Sequence, residues 1–339
     1  MGEPAEIAYA CAWHAPQGLF ARFAHLKVIF SLGAGVDHLV ADPQLPDVPV
    51  VRIVDADLTM RMTEYVVLHV LMHHRRQRLY AAQQSQGLWR EHEQAPANEV
   101  MVGVMGLGVL GRAAASALCR LGFRVAGWSR TPKTLTDIAT FHGDGGLDAF
   151  LRRTEILVCL LPATPSTRGM LDLALLRKLR RDGAAGGAYL INAGRGALQV
   201  DADILAALDE GSLAGATLDV FPAEPLPAMS PFWTHPNVTV TPHNAAASDP
   251  RALVANILRQ MELLGGRPAA RTRARPRRGL LIGPSGGLPI PHPGSRLAQG
   301  RLHLECGGGA PSLKAMQPIG STRISDPPVK RGEDACMQP

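Results

Sequence analysis

Val100-Met101-Val102-Gly103-Val104-Met105-Gly106-Leu107-Gly108-Val109-Leu110-Gly111 is the stretch that decides the fold. A short apolar run reads as a strand buried on both faces, a G-x-G-x-x-G turn follows it, and a helical apolar pattern continues to Leu121. Strand, glycine turn and helix in that order open a Rossmann-type doubly wound parallel sheet, an α/β fold. Gly106 permits the tight turn, Gly108 lets the backbone approach a pyrophosphate, and Gly111 lets the helix pack closely on the strand. The helix N-terminus, at Val109 and Leu110, then offers amide N–H groups to phosphate oxygens. Taken alone, the motif also fits a plain glycine-rich βα turn.

The end of the next strand, Arg124-Val125-Ala126-Gly127-Trp128, bears on which dinucleotide would be held. Sheets that bind NAD place an Asp or Glu there for the ribose hydroxyls. Here the residues are Ser129, Arg130, Thr131, Pro132 and Lys133. Two cations and two hydroxyls suit a 2′-phosphate, so NADPH is the expected cofactor, with NADH possible. An ordinary solvated basic turn is the alternative.

Further along, three segments each follow a short apolar run: Ile191-Asn192-Ala193-Gly194-Arg195-Gly196, Leu218-Asp219-Val220-Phe221-Pro222-Ala223-Glu224-Pro225 and Thr241-Pro242-His243. Open α/β sheets present ligand-binding side chains at such places. A guanidinium forks onto a carboxylate and polarises the neighbouring carbonyl, and an imidazole hands a proton to a developing alkoxide. A carboxylate beside that imidazole orients it and favours its charged form. Arg195, Glu224 and His243 together therefore suit reduction of a 2-keto acid. Any one of them alone would indicate a turn or a core residue. Near the N-terminus, a strand over residues 26–31 runs into Leu32-Gly33-Ala34-Gly35, a backbone nest for an anion or simply a tight turn.

These residues resemble the D-isomer-specific 2-hydroxyacid dehydrogenase family, and within it the glyoxylate/hydroxypyruvate reductase A branch. Further markers are Trp13-His14-Ala15-Pro16, Leu32-Gly33-Ala34-Gly35-Val36-Asp37, Thr63-Glu64-Tyr65 and Leu160-Leu161-Pro162-Ala163-Thr164-Pro165. The resemblance covers residues 5–266. It implies that Arg195 binds the substrate carboxylate and keto oxygen, that His243 is the acid/base and that Glu224 is its partner. It places Leu161, Pro162, Ala193, Gly194 and Asp219 beside the cofactor, with Asp219 near the nicotinamide. It assigns the Ala34 and Gly35 amides to the carboxylate, and Trp13 either to closure of the substrate pocket or to the core. The implied reaction is NADPH-dependent reduction of glyoxylate or hydroxypyruvate to glycolate or D-glycerate, by a cytoplasmic homodimer. A reductase of another 2-keto acid and an inactive dinucleotide-binding remnant are the alternatives.

Organisation follows from the alternating βα pattern. Residues 1–89 and 242–266 are expected to form a smaller flavodoxin-like α/β substrate domain, with a mostly helical bridge over residues 60–89. Residues 90–241 are expected to form the dinucleotide domain. The family begins with a further strand and helix, so the substrate domain reads as incomplete, with an uncovered edge. Residues 177–188, charged and then glycine-rich, read as a surface insertion. Residues 267–339 hold 12 Lys/Arg against 4 Asp/Glu, and 11 Gly and 11 Pro among 73 residues, a composition foreign to the family that reads as a disordered basic tail. That tail accounts for the net charge of +6, which leaves the body near neutral and no case for nucleic acid. Five cysteines, Cys11, Cys119, Cys159, Cys306 and Cys336, share no metal-type spacing and suit reduced thiols, and no metal site is expected. The chain also lacks an 18-residue apolar span and signal-peptide features, so no membrane association is expected.

Overall fold

The computed structural model describes residues 3–13, 15–33, 35–52, 55–247 and 249–266. The readings of Ala34 as a carboxylate ligand and of residues 267–339 as a disordered tail lie outside the described residues.

The smaller sheet holds β1 (Tyr9–Ala12), β2 (Val28–Ser31) and β3 (Val50–Arg52), all parallel and in that order. All four residues of β2 are buried, as a central strand covered on both faces requires. Alternation sorts them: Ile29 packs with Phe20, Leu39 and Val50, whereas Val28 and Phe30 pack with Val51 and Ile257. Leu39 lies on the short helix α1 (Asp37–Val40), which starts just after the Gly33–Gly35 turn.

Helix α2 (Ala56–His74) leads from this sheet to the larger one. Asp55 caps it, its carboxylate accepting from the amides of Asp57 and Leu58 at 3.3 and 3.4 Å. Buried residues recur at Leu58, Met62, Tyr65, Val66, His69, Val70 and His73, the 3.6-residue stripe of a helix laid on a core. The mostly helical bridge consists of two helices. Arg76 takes φ 52° and starts α3 (Gln77–Ser85), a break that no Gly or Pro announces.

Seven parallel strands form the larger sheet: β4 (Met101–Met105), β5 (Arg124–Ser129), β6 (Ala139–His142), β7 (Ile156–Cys159), β8 (Tyr189–Asn192), β9 (Gly215–Leu218) and β10 (Val238–Val240). Their order is β10-β9-β8-β7-β4-β5-β6. It reverses between β4 and β7, and a doubly wound sheet opens a ligand crevice at that switch point. Helix α4 (Val109–Arg120) covers β4, and its Ala114, Ala115 and Leu118 pack with Met62, Tyr65, Val66 and Val70 of α2. Helices α5 (Gly143–Leu151), α6 (Leu173–Leu176) and α7 (Asp201–Asp209) complete the layers. The last helix, α8 (Pro250–Gly266), sets Leu253, Ile257 and Met261 against the smaller sheet.

Residues 177–188 lie at the surface only in part: Arg177, Lys178 and residues 180–182 are exposed, but the segment also reaches the core. Glu155 is fully buried, and its carboxylate accepts from the amides of Met101 and Ala185 at 3.2 and 2.7 Å. A buried carboxylate needs such donors, and the glycine-rich segment supplies one because a side chain at Gly183 would strike it. Ala185 and Ala188 are buried in consequence.

Candidate active site

The glycine turn is shaped for a phosphate. Gly106 has φ 105°, a conformation open to glycine, and its amide donates to the Trp128 carbonyl at 2.8 Å, tying the turn to β5. A methyl group on Gly111 would fall 1.8 Å from the Gly106 oxygen, so only glycine lets α4 start here. One on Gly108 would meet nothing within 4 Å, so the turn faces open space at that point. No side chain caps α4, so its first-turn amides face that space. These residues fit a pyrophosphate.

The other cofactor-side residues end neighbouring strands. Ser129 closes β5, which pairs with β4, so Arg130, Thr131 and Lys133 lie beside the glycine turn. The Ser129 hydroxyl donates to the Thr131 carbonyl at 2.8 Å, and Arg130 and Thr131 are exposed. No carboxylate ends β5. Leu161 and Pro162 follow β7 and Ala193 and Gly194 follow β8, and a Cβ on Gly194 would lie 2.7 Å from the Leu161 oxygen. The two loops are therefore in close contact.

Arg195 follows at once. Asn192 holds its loop by accepting from the Gly194 amide at 3.1 Å and donating to the Gln199 side chain at 2.8 Å. The guanidinium uses Nη1 on the Gly194 carbonyl at 2.7 Å and Nε on the Asp37 carboxylate at 3.2 Å. Its Nη2 lies against Gly35, where a Cβ would come within 1.9 Å. Arg195 thus faces the Gly33–Gly35 turn of the smaller sheet. Trp13 lies over the same turn, its ring 2.1 Å from where a Gly33 Cβ would stand, edge-on to His38 at 5.0 Å. At 45% exposed, it is not a core tryptophan.

His243 follows β10 with φ 52°, rare for a residue with a side chain, and its amide donates to the Asp219 carbonyl at 2.8 Å. Its Nδ1 lies 2.7 Å from Glu224 Oε2, while Glu224 Oε1 accepts from the Phe221 amide at 2.9 Å. An ionised carboxylate only accepts, so Nδ1 carries the hydrogen and Nε2 is left to face a reactant. Asp219, buried at the end of β9, accepts from Thr241 Oγ1 at 2.6 Å and from the amides of Asn244 and Ala245 at 3.0 Å each.

Arg195, Glu224 and His243 thus arise from the carboxyl ends of the adjacent strands β8, β9 and β10, on the edge that also carries the glycine turn. Sequence reasoning did not assign roles to Asp37, Tyr65, Thr241 or Gln199. The first three stood in quoted motifs, but only the fold shows what each touches. Among the described residues, no three His, Cys, Asp or Glu side chains could hold a metal ion, and no helix is long and apolar enough to cross a membrane. Burial pushes the Cys159 thiol up to about 12, so it stays protonated.

A phosphate-shaped glycine turn at a switch point, beside an arginine and a carboxylate-paired histidine, defines a nicotinamide-dinucleotide oxidoreductase. Residues 67–245 match the family described as D-isomer specific 2-hydroxyacid dehydrogenase, NAD binding domain. Glyoxylate/hydroxypyruvate reductase A of Yersinia enterocolitica is 43% identical over 265 residues, 75% of this chain and 82% of that protein. An NADPH-dependent glyoxylate/hydroxypyruvate reductase of Sinorhizobium meliloti, solved with NADP and sulfate, is 51% identical with a TM-score of 0.75, covering 78% of this chain and 83% of that one. A D-isomer specific 2-hydroxyacid dehydrogenase of Xanthobacter autotrophicus Py2, solved with NADPH and MES, is 45% identical with a TM-score of 0.78, covering 83% and 87%. The chain belongs to the D-isomer specific 2-hydroxyacid dehydrogenase family and is an NAD(P)-dependent enzyme.

Proposed function

We propose that the protein reduces glyoxylate and hydroxypyruvate to glycolate and D-glycerate with NADPH, and that His243 is the general acid. One observation carries this: His243, held by Glu224 at 2.7 Å, shares a sheet edge with Arg195 and the glycine turn. The pyrophosphate is assigned to Gly106, Gly108, Val109, Leu110 and Gly111. The 2′-phosphate is assigned to Ser129, Arg130, Thr131 and Lys133, and the nicotinamide side to Leu161, Pro162, Ala193, Gly194 and Asp219. When bound, reduced nicotinamide supplies the hydride that the keto carbon accepts.

The remaining work falls to the chain's own groups. Arg195 binds the substrate carboxylate and polarises the keto oxygen, and the Gly35 and Ala34 amides share the carboxylate. Trp13 forms a wall of the pocket above Gly33. His243 gives the Nε2 proton to the oxygen as charge builds there, and Glu224 keeps Nδ1 protonated. Residues 1–89 and 242–266 are assigned to substrate binding and residues 90–241 to cofactor binding, with α2 packed on the core of the larger sheet. Trp89 is 97% exposed, with Leu88 beside it, and a homodimer would cover both. A cytoplasmic location fits the free thiols of Cys11, Cys119 and Cys159.

The test is NADPH oxidation by the purified protein with glyoxylate, hydroxypyruvate and bulkier 2-keto acids. Turnover is expected with the first two, and His243→Ala should lower kcat by about two to four orders of magnitude with NADPH binding retained. Turnover of bulkier acids alone would overturn the substrate assignment. Near-wild-type kcat in His243→Ala would overturn the acid assignment.

A further inference from the structure

We propose that Tyr65 is a positioning residue for the acid, acting from α2 through Thr241 and Asp219 on the turn that carries His243. This rests on the reading of His243 as the acid, and it follows from counting hydrogens. Thr241 has one hydroxyl hydrogen, and its 2.6 Å contact is with a carboxylate oxygen, which can only accept. That hydrogen is committed to Asp219. The 2.8 Å contact between Tyr65 Oη and Thr241 Oγ1 must then be a donation by the tyrosine. Burial raises the Tyr65 phenol by more than the Thr241 contact lowers it, and the nearby Asp219 carboxylate raises it further, so it stays a donor across the working pH range.

The chain of donors ends where the catalytic geometry is fixed. Asp219 accepts from the amides of Asn244 and Ala245 through its carboxylate and from the His243 amide through its carbonyl. His243 sits at φ 52°, a conformation that a non-glycine residue keeps only when its surroundings determine it. The hydrogen bonds converging on Asp219 are those surroundings. Tyr65 is itself fixed, because its ring lies 4.2 Å from that of His69 one turn along α2 and belongs to the core cluster that joins α2 to α4. The register of α2 therefore sets where the imidazole stands, 178 residues further along the chain.

The test is a double-mutant cycle on the full chain. Tyr65→Phe should lower kcat about tenfold, the scale of a small misplacement of a catalytic group. KM for the keto acid should stay within about twofold, since Arg195 is not touched, and Kd for NADPH should change less than kcat, since the glycine turn is not touched and only Asp219 lies on the cofactor side. Thr241→Val cuts the next link and should give a loss of similar size, which also serves if Tyr65→Phe does not fold. In a His243→Ala background, adding Tyr65→Phe should cost nothing further, because a positioning residue has nothing left to position. Additive losses in the double variant, or an effect confined to NADPH affinity, would overturn the proposal. Wild-type turnover in His243→Ala alone would instead overturn the acid assignment on which the proposal stands.

Discussion

Acidifying the protein from pH 7.5 to 5 should destabilise it progressively, and His73 should account for much of the loss. Its ring is buried against Tyr189 at 4.8 Å, with Nε2 3.0 Å from Thr217 Oγ1, and burial pushes its pKa down from 6.5 to about 3. Below pH 6.5 the unfolded chain takes up a proton that the folded chain refuses. Stability is therefore full above pH 6.5 and falls as pH drops toward 3, by at most ~1.4 kcal/mol per pH unit for this group. At pH 5 the loss is about 2 kcal/mol, and over the whole interval it approaches ~5 kcal/mol. His69 and His74 are also lowered by burial and steepen the slope in the same direction. The window from 7.5 to 5 separates these groups from ordinary carboxylates, which stay mostly ionised through it in both states. The assay is the urea midpoint as a function of pH for the wild type and for His73→Gln, which cannot titrate and retains a partner for Thr217. A wild-type midpoint independent of pH, or a slope unchanged in His73→Gln, would refute the reasoning.

Two further outcomes are expected. Arg195→Lys keeps the charge but cannot serve Asp37, the Gly194 carbonyl and a substrate together, so steady-state kinetics should show a higher KM for the keto acid and a lower kcat. Kinetics equal to those of the wild type would make Arg195 structural. Arg130→Asp should shift the kcat/KM ratio toward NADH, because a carboxylate accepts from ribose hydroxyls and repels a 2′-phosphate, and a wild type already favouring NADH would refute the assignment of that turn.

Much of this was legible in the sequence because the fold and the site are written in local patterns. The run before Gly106 became β4, the helical pattern to Leu121 became α4, and Arg195, Glu224 and His243 stand just after strands that their apolar runs announced. Long-range partners were not legible. Asp37 meets Arg195 across 158 residues and Tyr65 meets Thr241 across 176, and no local periodicity encodes such pairs. Residues 177–188 misled for a different reason. Their glycine and charge content is that of a surface loop, but the buried Glu155 draws the Ala185 amide inward. The break at Arg76 was invisible because a left-handed arginine carries no compositional mark.

The packing of α8 on the smaller sheet has a consequence during synthesis. Val28, Phe30 and Val51 are made early, yet the side chain they share, Ile257, comes near the end of the described chain. At ribosomal speeds of roughly 5–20 residues per second, that apolar face waits ~10–40 s for its cover. The larger sheet, encoded in between, can close before α8 emerges. A nascent chain therefore passes through a stage with a finished nucleotide sheet and an adhesive patch on the smaller one, which chaperones would be expected to hold.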